Sequence, residues 1–323
     1  MSRKKNYPGR LSHCCALLAA VLLTTTLTMT LLGAAVLHGL TSQELHIKAA
    51  TAEKSLDAQM RHISEYIGEL AEDYSFSAQE ATNAVSTDEL RELNRKMAIW
   101  WTRIVNDGVL DEMPEWSPGK MSIAVTRSLD EDRVPEDMTR DDVTAEVTRL
   151  IQERIGKITM PVRSALIRRG FQFLRRRVDP ADAARFLKQG TIVSGIASLA
   201  LAGMILLLTG KRARVSLRYF GAAMAGAGIA CLFSGLLIRS AGIQTMIRDV
   251  SEVLAVQTAY ILNTVTTQLI IGISILLAGG VFCLILDIRG TDARRGENNG
   301  KKTDHSQDSI DEDTGAAAAG GNG

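Results

Sequence analysis

Between Cys15 and Cys231 the chain contains no cysteine. Its four thiols, Cys14, Cys15, Cys231 and Cys283, all lie in or beside apolar runs. No disulfide framework therefore holds the long middle of the chain, which must rest on a core of its own. The adjacent pair Cys14 and Cys15 stands where juxtamembrane thiols are acylated in some proteins, and it reads here as ordinary apolar thiols. Histidine is scarce, with His13, His38, His46, His62 and His305 the whole complement. None forms H-E-x-x-H, and His62 with Glu65 is a single helical pair, short of the three or four ligands that zinc takes. The later apolar runs hold no histidine, which argues against a Ser–His hydrolase buried in lipid. Phosphate-cradling loops, dinucleotide glycine patterns and G-x-S-x-G are missing as well. The expectation is a chain without catalytic residues, metal or cofactor: not an enzyme.

Charge is missing in a more ordered way. The chain of 323 residues is 23% charged with a net charge of +1, yet four windows carry none. They are the 33 residues between Arg10 and Glu44, the 22 between Lys188 and Lys211, the 20 between Arg218 and Arg239, and the 34 between Glu252 and Asp287. A helix crosses a hydrocarbon core of about 30 Å with about 20 residues. The sequence therefore predicts an all-α membrane protein with four transmembrane helices at 16–37, 191–209, 219–238 and 268–286. A wholly water-soluble chain is excluded. The apolar stretch Ala16–Ala35 is longer than the core of a cleaved signal peptide, so the first span reads as a retained anchor.

Orientation follows from short basic flanks. The leader 1–15 holds Arg3, Lys4, Lys5 and Arg10, the loop 210–218 holds Lys211, Arg212, Arg214 and Arg218, and Arg289, Arg294 and Arg295 follow the fourth span. Four spans put all three on one side, and basic flanks mark the cytoplasm. Both termini are expected inside a cell membrane, with residues 38–190 extracytoplasmic and 239–267 a short segment on that same side. The basic stretch before the second span opposes this reading, but it belongs to a loop long enough to cross regardless of charge. The tail 287–323 is polar and reads as disordered. It is too small for a kinase or a signalling module.

Residues 38–190 are the one part large enough for an independent domain, and they read as helical. Helical spacing runs through Leu45, Ile47, Leu56, Met60, Ile63, Ile67 and Leu70, predicting a helix over 42–73 that continues the first span. A second helix is expected over 88–109 and a third from Val143 to before Pro161. Asp179-Pro180 is a helix-start pair whose helix runs into the second span with only Gly190 as a weak point. Ser77 with Glu80 and Thr139 with Asp142 have capping-box spacing. Only Met121–Val125 hints at β alternation. The stretch 253–267 is uncharged but polar, and reads as an outer extension of the fourth helix, with a re-entrant pore segment as the alternative.

Charge and aromatics give the candidate contacts. Residues 38–153 hold 12 basic and 24 acidic side chains, whereas 154–189 hold 10 basic and 2 acidic. Arg168, Arg169, Arg175, Arg176 and Arg177 form a candidate surface for anionic lipid headgroups or acidic wall polymers, with internal pairing to the acidic helices as the alternative. Nucleic acid is not an expected partner. The acidic run from Asp130 to Asp142 lacks the spacing of a helix–loop–helix calcium site. Trp100, Trp101 and Trp116 read as packing beneath the Met113–Pro118 turn, with a binding platform as the alternative. In the spans, Gly190, Ser194, Ser198 and Ala202 form one small-residue stripe and Ala222, Gly226 and Ala230 another. Such stripes admit close backbone approach, within one chain or between copies. The functional expectation is a non-enzymatic surface interaction, scaffold or sensor-like protein acting through its helical ectodomain. A channel or transporter subunit is the alternative.

Overall fold

The computed structural model describes residues 10–108, 111–130, 138–159, 180–210, 213–240 and 251–307. Among these the regular structure is helical throughout, in ten helices with no strand. They are α1 (Arg10–Thr41), α2 (Gln43–Thr51), α3 (Glu53–Tyr74), α4 (Ala78–Ala84), α5 (Thr87–Asp107), α6 (Gly119–Ser128), α7 (Arg140–Thr159), α8 (Pro180–Thr209), α9 (Ala213–Ser240) and α10 (Glu252–Gln307). Four of them, α1, α8, α9 and α10, are long and apolar enough to cross a membrane. The all-helical class with four span-length apolar helices, predicted from the charge-free windows, is what the described residues form.

The chain divides into two units. One comprises Thr30–Ile192 and Phe233–Ile270. Its core follows from helical spacing of apolar side chains: Leu56, Ile63, Ile67 and Leu70 of α3, Leu90, Leu93 and Met97 of α5, Met121 and Val125 of α6, and Val143, Val147, Ile151 and Ile155 of α7. The last four stand at strict four-residue steps and are fully buried. Each such side chain withdrawn from water contributes about 1.5–3 kcal/mol. α3 packs on α7, α6 on α7 and α2 on α5. A buried polar pair sits between α3 and α5, where the Asn94 amide donates to Gln59 at 2.7 Å and the Gln59 amide donates back at 3.3 Å. The start of α10 also belongs to this unit, with Val253 and Leu254 buried and the Gln257 amide donating to the Ser55 hydroxyl at 3.1 Å.

The helix ends bear out the Thr139 capping box in full and the Ser77 one in half, since the Ser77 amide donates to the Ser128 hydroxyl at 3.1 Å rather than to Glu80. Ser77 accepts from the Glu80 amide at 3.3 Å. Thr139 accepts from the Asp142 amide at 3.2 Å, and the Asp142 carboxylate accepts from the Thr139 amide at 3.0 Å, a reciprocal box that opens α7. That hydroxyl and amide hold the Asp142 carboxyl below its ordinary range.

Two expectations need correction. The helix predicted over 42–73 as a continuation of the first span breaks twice. At Ser42 the backbone turns extended and the hydroxyl accepts from the Leu45 amide, starting α2 afresh, while the His46 ring bonds back to the Leu40 carbonyl at 3.1 Å. At Ala52 the backbone is extended again with no side-chain cap, and α2 packs on α5 while α3 packs on α7. Tertiary packing overrides a propensity that favours one long helix. Met121–Val125, too short for its alternation to mark a strand, is the middle of α6, where Met121 and Val125, four apart, reach the core. The tail, expected to be disordered from 287, continues α10 as far as Gln307. Extending an existing helix needs no new nucleation, which composition alone does not register. The 253–267 stretch is a continuous part of α10, as expected, and not a re-entrant loop.

The other unit comprises Met1–Met29, Val193–Leu232 and Ile271–Gly323. Ala19, Ala20 and Leu23 of α1 cluster with Ile205 of α8 and Ala223 of α9. Hydroxyls join the same helices: Ser198 donates to Thr26 at 2.9 Å and Thr24 to the Ala223 carbonyl at 3.3 Å. α9 meets α10 through glycine, where a Cβ built on Gly221 would stand 2.9 Å from the Gly280 carbonyl oxygen. Beside that crossing, Arg218 reaches Asp287 through two nitrogens at 2.9 and 2.8 Å, and the Asp287 side chain is only 10% exposed. The carboxylate and guanidinium thus lie at the ends of the apolar runs, where a membrane helix tolerates charge.

Candidate functional site

In the unit formed by Thr30–Ile192 and Phe233–Ile270, two recesses adjoin at Trp116. One of about 430 Å³ is lined by Leu93 of α5, by Met113, Pro114, Glu115 and Trp116, and by Arg149, Gln152, Glu153, Gly156 and Lys157 of α7. The other, of about 520 Å³, shares Leu93, Glu115 and Trp116 and adds Glu89, Glu92 and Lys96 of α5, Ser117, Gly119, and Lys120 and Ile123 of α6. Both fall in the size range of small-molecule clefts.

Local sequence explains why the segment between α5 and α6 stays in place. α5 ends at Gly108, whose φ of +70° suits glycine. The chain then returns along α5, and the Trp100 indole donates to the Asp111 carbonyl at 2.8 Å. Arg103 meets the Asp111 carboxylate at 3.4 Å. Pro114 and Pro118 bracket Trp116 and remove two backbone donors from a segment without helix. Trp116 is buried, and the Gln152 amide of α7 donates to its carbonyl at 3.4 Å. Its indole nitrogen finds no acceptor among the described residues. Trp100 is buried and its neighbour Trp101 half-buried, the split expected of consecutive helix positions.

The rim carries charge of both signs, mostly paired. Lys120 bonds Glu89 at 2.5 Å, Arg149 bonds Glu146 at 2.7 Å and Glu153 at 3.1 Å, and Lys157 lies 3.6 Å from Glu153. The Glu146 hydrogen bond holds the Arg149 guanidinium above its ordinary range, and Arg149 in turn holds Glu146 below its own. Glu115 is exposed where the two recesses meet and forms no ion pair with any described residue. Ile123 is 64% exposed at the far rim. Such an arrangement offers an apolar floor with mixed polar edges. Among the described residues no group of three His, Cys, Asp or Glu is placed to hold a metal.

The sequence-derived candidates fall elsewhere. Arg168, Arg169, Arg175, Arg176 and Arg177 lie outside the described residues, as does most of the acidic run 130–142. In the small-residue stripe of α8, Gly190 is exposed with open space around it, Ser194 and Ala202 are half-buried, and Ser198 is buried against Thr26. In that of α9, Ala222 is exposed, Ala230 half-buried, and a Cβ on Gly226 would meet Thr24 at 3.1 Å. The deepest small residues of α9 are Ala223, Ala227 and Cys231, one position along. Sequence reasoning did not find the recess, because Leu93, Trp116 and Gly156 come together only through packing. The one signal was the tryptophan-rich, twice-proline stretch from Trp100 to Pro118. No protein-family model, curated protein or solved structure matches this chain.

Proposed function

We propose that this is a multi-pass membrane protein with both termini in the cytoplasm, whose residues 38–190 form an extracytoplasmic helical domain that recognises a partner without catalysing a reaction. The observation that carries the reading is the pair of recesses sharing Leu93, Glu115 and Trp116, built over a complete helical core and rimmed by paired charges. The basic flanks of the four apolar helices support the orientation. The net acidity of residues 38–153 favours a partner with basic character.

Glu115 and Ile123 are exposed, so they are open to substitution at little cost to the core. Full-length Glu115→Lys and Ile123→Asp variants, cross-linked on intact cells, are expected to lose a discrete cross-linked species that the parent forms at the same expression level. An unchanged cross-linking pattern in both variants overturns the recess as the contact surface. Solute or ion flux through liposomes holding the purified protein overturns the non-conducting scaffold reading itself.

A further inference from the structure

The first turn of α10 meets α3 through Glu252, which faces both Arg61 and His62. His62 of α3 places its Nε2 3.6 Å from the Glu252 carboxylate at the start of α10, and its Nδ1 3.4 Å from Glu65 of α3. Arg61 shares Glu252 at 3.2 Å. From α7, Arg154 lies over the ring of Tyr66, one turn further along α3, with its guanidinium carbon 5.1 Å from the centroid. The histidine therefore has a carboxylate on each ring nitrogen, one of them shared with the Arg61 guanidinium. The hydrogen bond from Gln257 to Ser55, two turns into α10, is buried and independent of pH.

We propose that His62 is a latch, strengthened by acid, that holds the start of α10 to α3. Histidine is the side chain whose charge ordinarily changes between about pH 5 and 8, while carboxylates and guanidinium groups keep theirs across that range. Among the described residues, a neutral ring leaves Arg61 as the charged partner of Glu252. A protonated ring adds a second attraction to Glu252 and one to Glu65, so the start of α10 is held more tightly as the medium acidifies. All four groups of the cluster are partly exposed, which confines the effect to that of a surface ion pair. The device makes the anchorage of α10 on α3 responsive to external acidity.

The test is amide hydrogen exchange on the full-length protein in lipid nanodiscs, at about pH 8 and pH 5.5, with protection corrected for chemical exchange at each pH. In the parent, protection of the α10 segment 252–262 is expected to rise about two- to fivefold at the lower pH, as for an added surface ion pair. Protection in α7 serves as the reference. His62→Gln and Glu252→Gln should each abolish the rise while leaving α7 unchanged. His46, a buried histidine of the same unit, is kept in both variants, so its titration cancels. No rise in the parent, or a rise that survives in either variant, overturns the latch. If His62→Gln lowers α7 protection and so has lost its fold, Glu252→Gln decides alone.

Discussion

Ser75 closes α3 in the left-handed region, with φ of 57°, while its amide still bonds the Ala71 carbonyl at 3.0 Å. Its own carbonyl accepts from the Asp130 amide, so the surrounding chain fixes the conformation. A side chain there costs about 1–2 kcal/mol, of which glycine returns part through its freer unfolded chain. Ser75→Gly is expected to stabilise the protein by about 0.5–1 kcal/mol, read as a higher thermal midpoint. His46 acts in the opposite sense. Burial pushes its pKa below the ordinary histidine value, against the raising effect of the bond to the Leu40 carbonyl. The unfolded chain therefore takes up a proton at a higher pH than the folded one. Stability present above about pH 6.5 is lost as the pH falls toward the depressed folded value. His46→Gln should flatten that stretch of a stability-against-pH curve measured by chemical denaturation. A variant curve with the same slope as the parent through this range would contradict the assignment.

The four long apolar helices were legible as elements because absent charge is a signal that no packing detail can obscure. Thr139 shows how far local chemistry carries: the sequence T-x-x-D predicts a reciprocal box, and both of its bonds form. Thr139→Ala is expected to cost about 1 kcal/mol and to loosen the first turn of α7 in hydrogen exchange, with the last turn unaffected. What stayed hidden was decided by neighbours. Nothing in T-A-E-K marks Ala52 as a break; α2 and α3 part there because each packs on a different helix. α6 was too short to reveal its period, and only burial of Met121 and Val125 makes it plain. The recess at Trp116 escaped for the same reason. Its lining is drawn from α5, α6, α7 and the segment between α5 and α6, far apart in the chain.

At the scale of the whole molecule, each of the four apolar helices contributes residues to both units, while α2 to α7 belong wholly to the unit with the Trp116 recesses. The proposed topology makes a direct prediction. Cysteine introduced at the exposed Lys96, in a background lacking the four native thiols, should react with a membrane-impermeant maleimide on intact cells. Cysteine introduced at Ser306 should react only after permeabilisation. The reverse pattern inverts the orientation and removes the extracytoplasmic recognition reading with it.

The crossing of α9 and α10 has a consequence for which substitutions the chain can bear. At Gly221 and Gly280 the two main chains touch, and the Leu284 side chain also closes on Gly221 at 2.9 Å, so trimming a side chain does not by itself make room at either position. A methyl group added on one helix meets carbonyl oxygen or amide nitrogen on the other, and no compensating change at the opposite residue makes room. The two positions should therefore behave as a locked couple. In a saturation library scored for folded protein, both columns would be empty apart from glycine, and no double substitution would refill them.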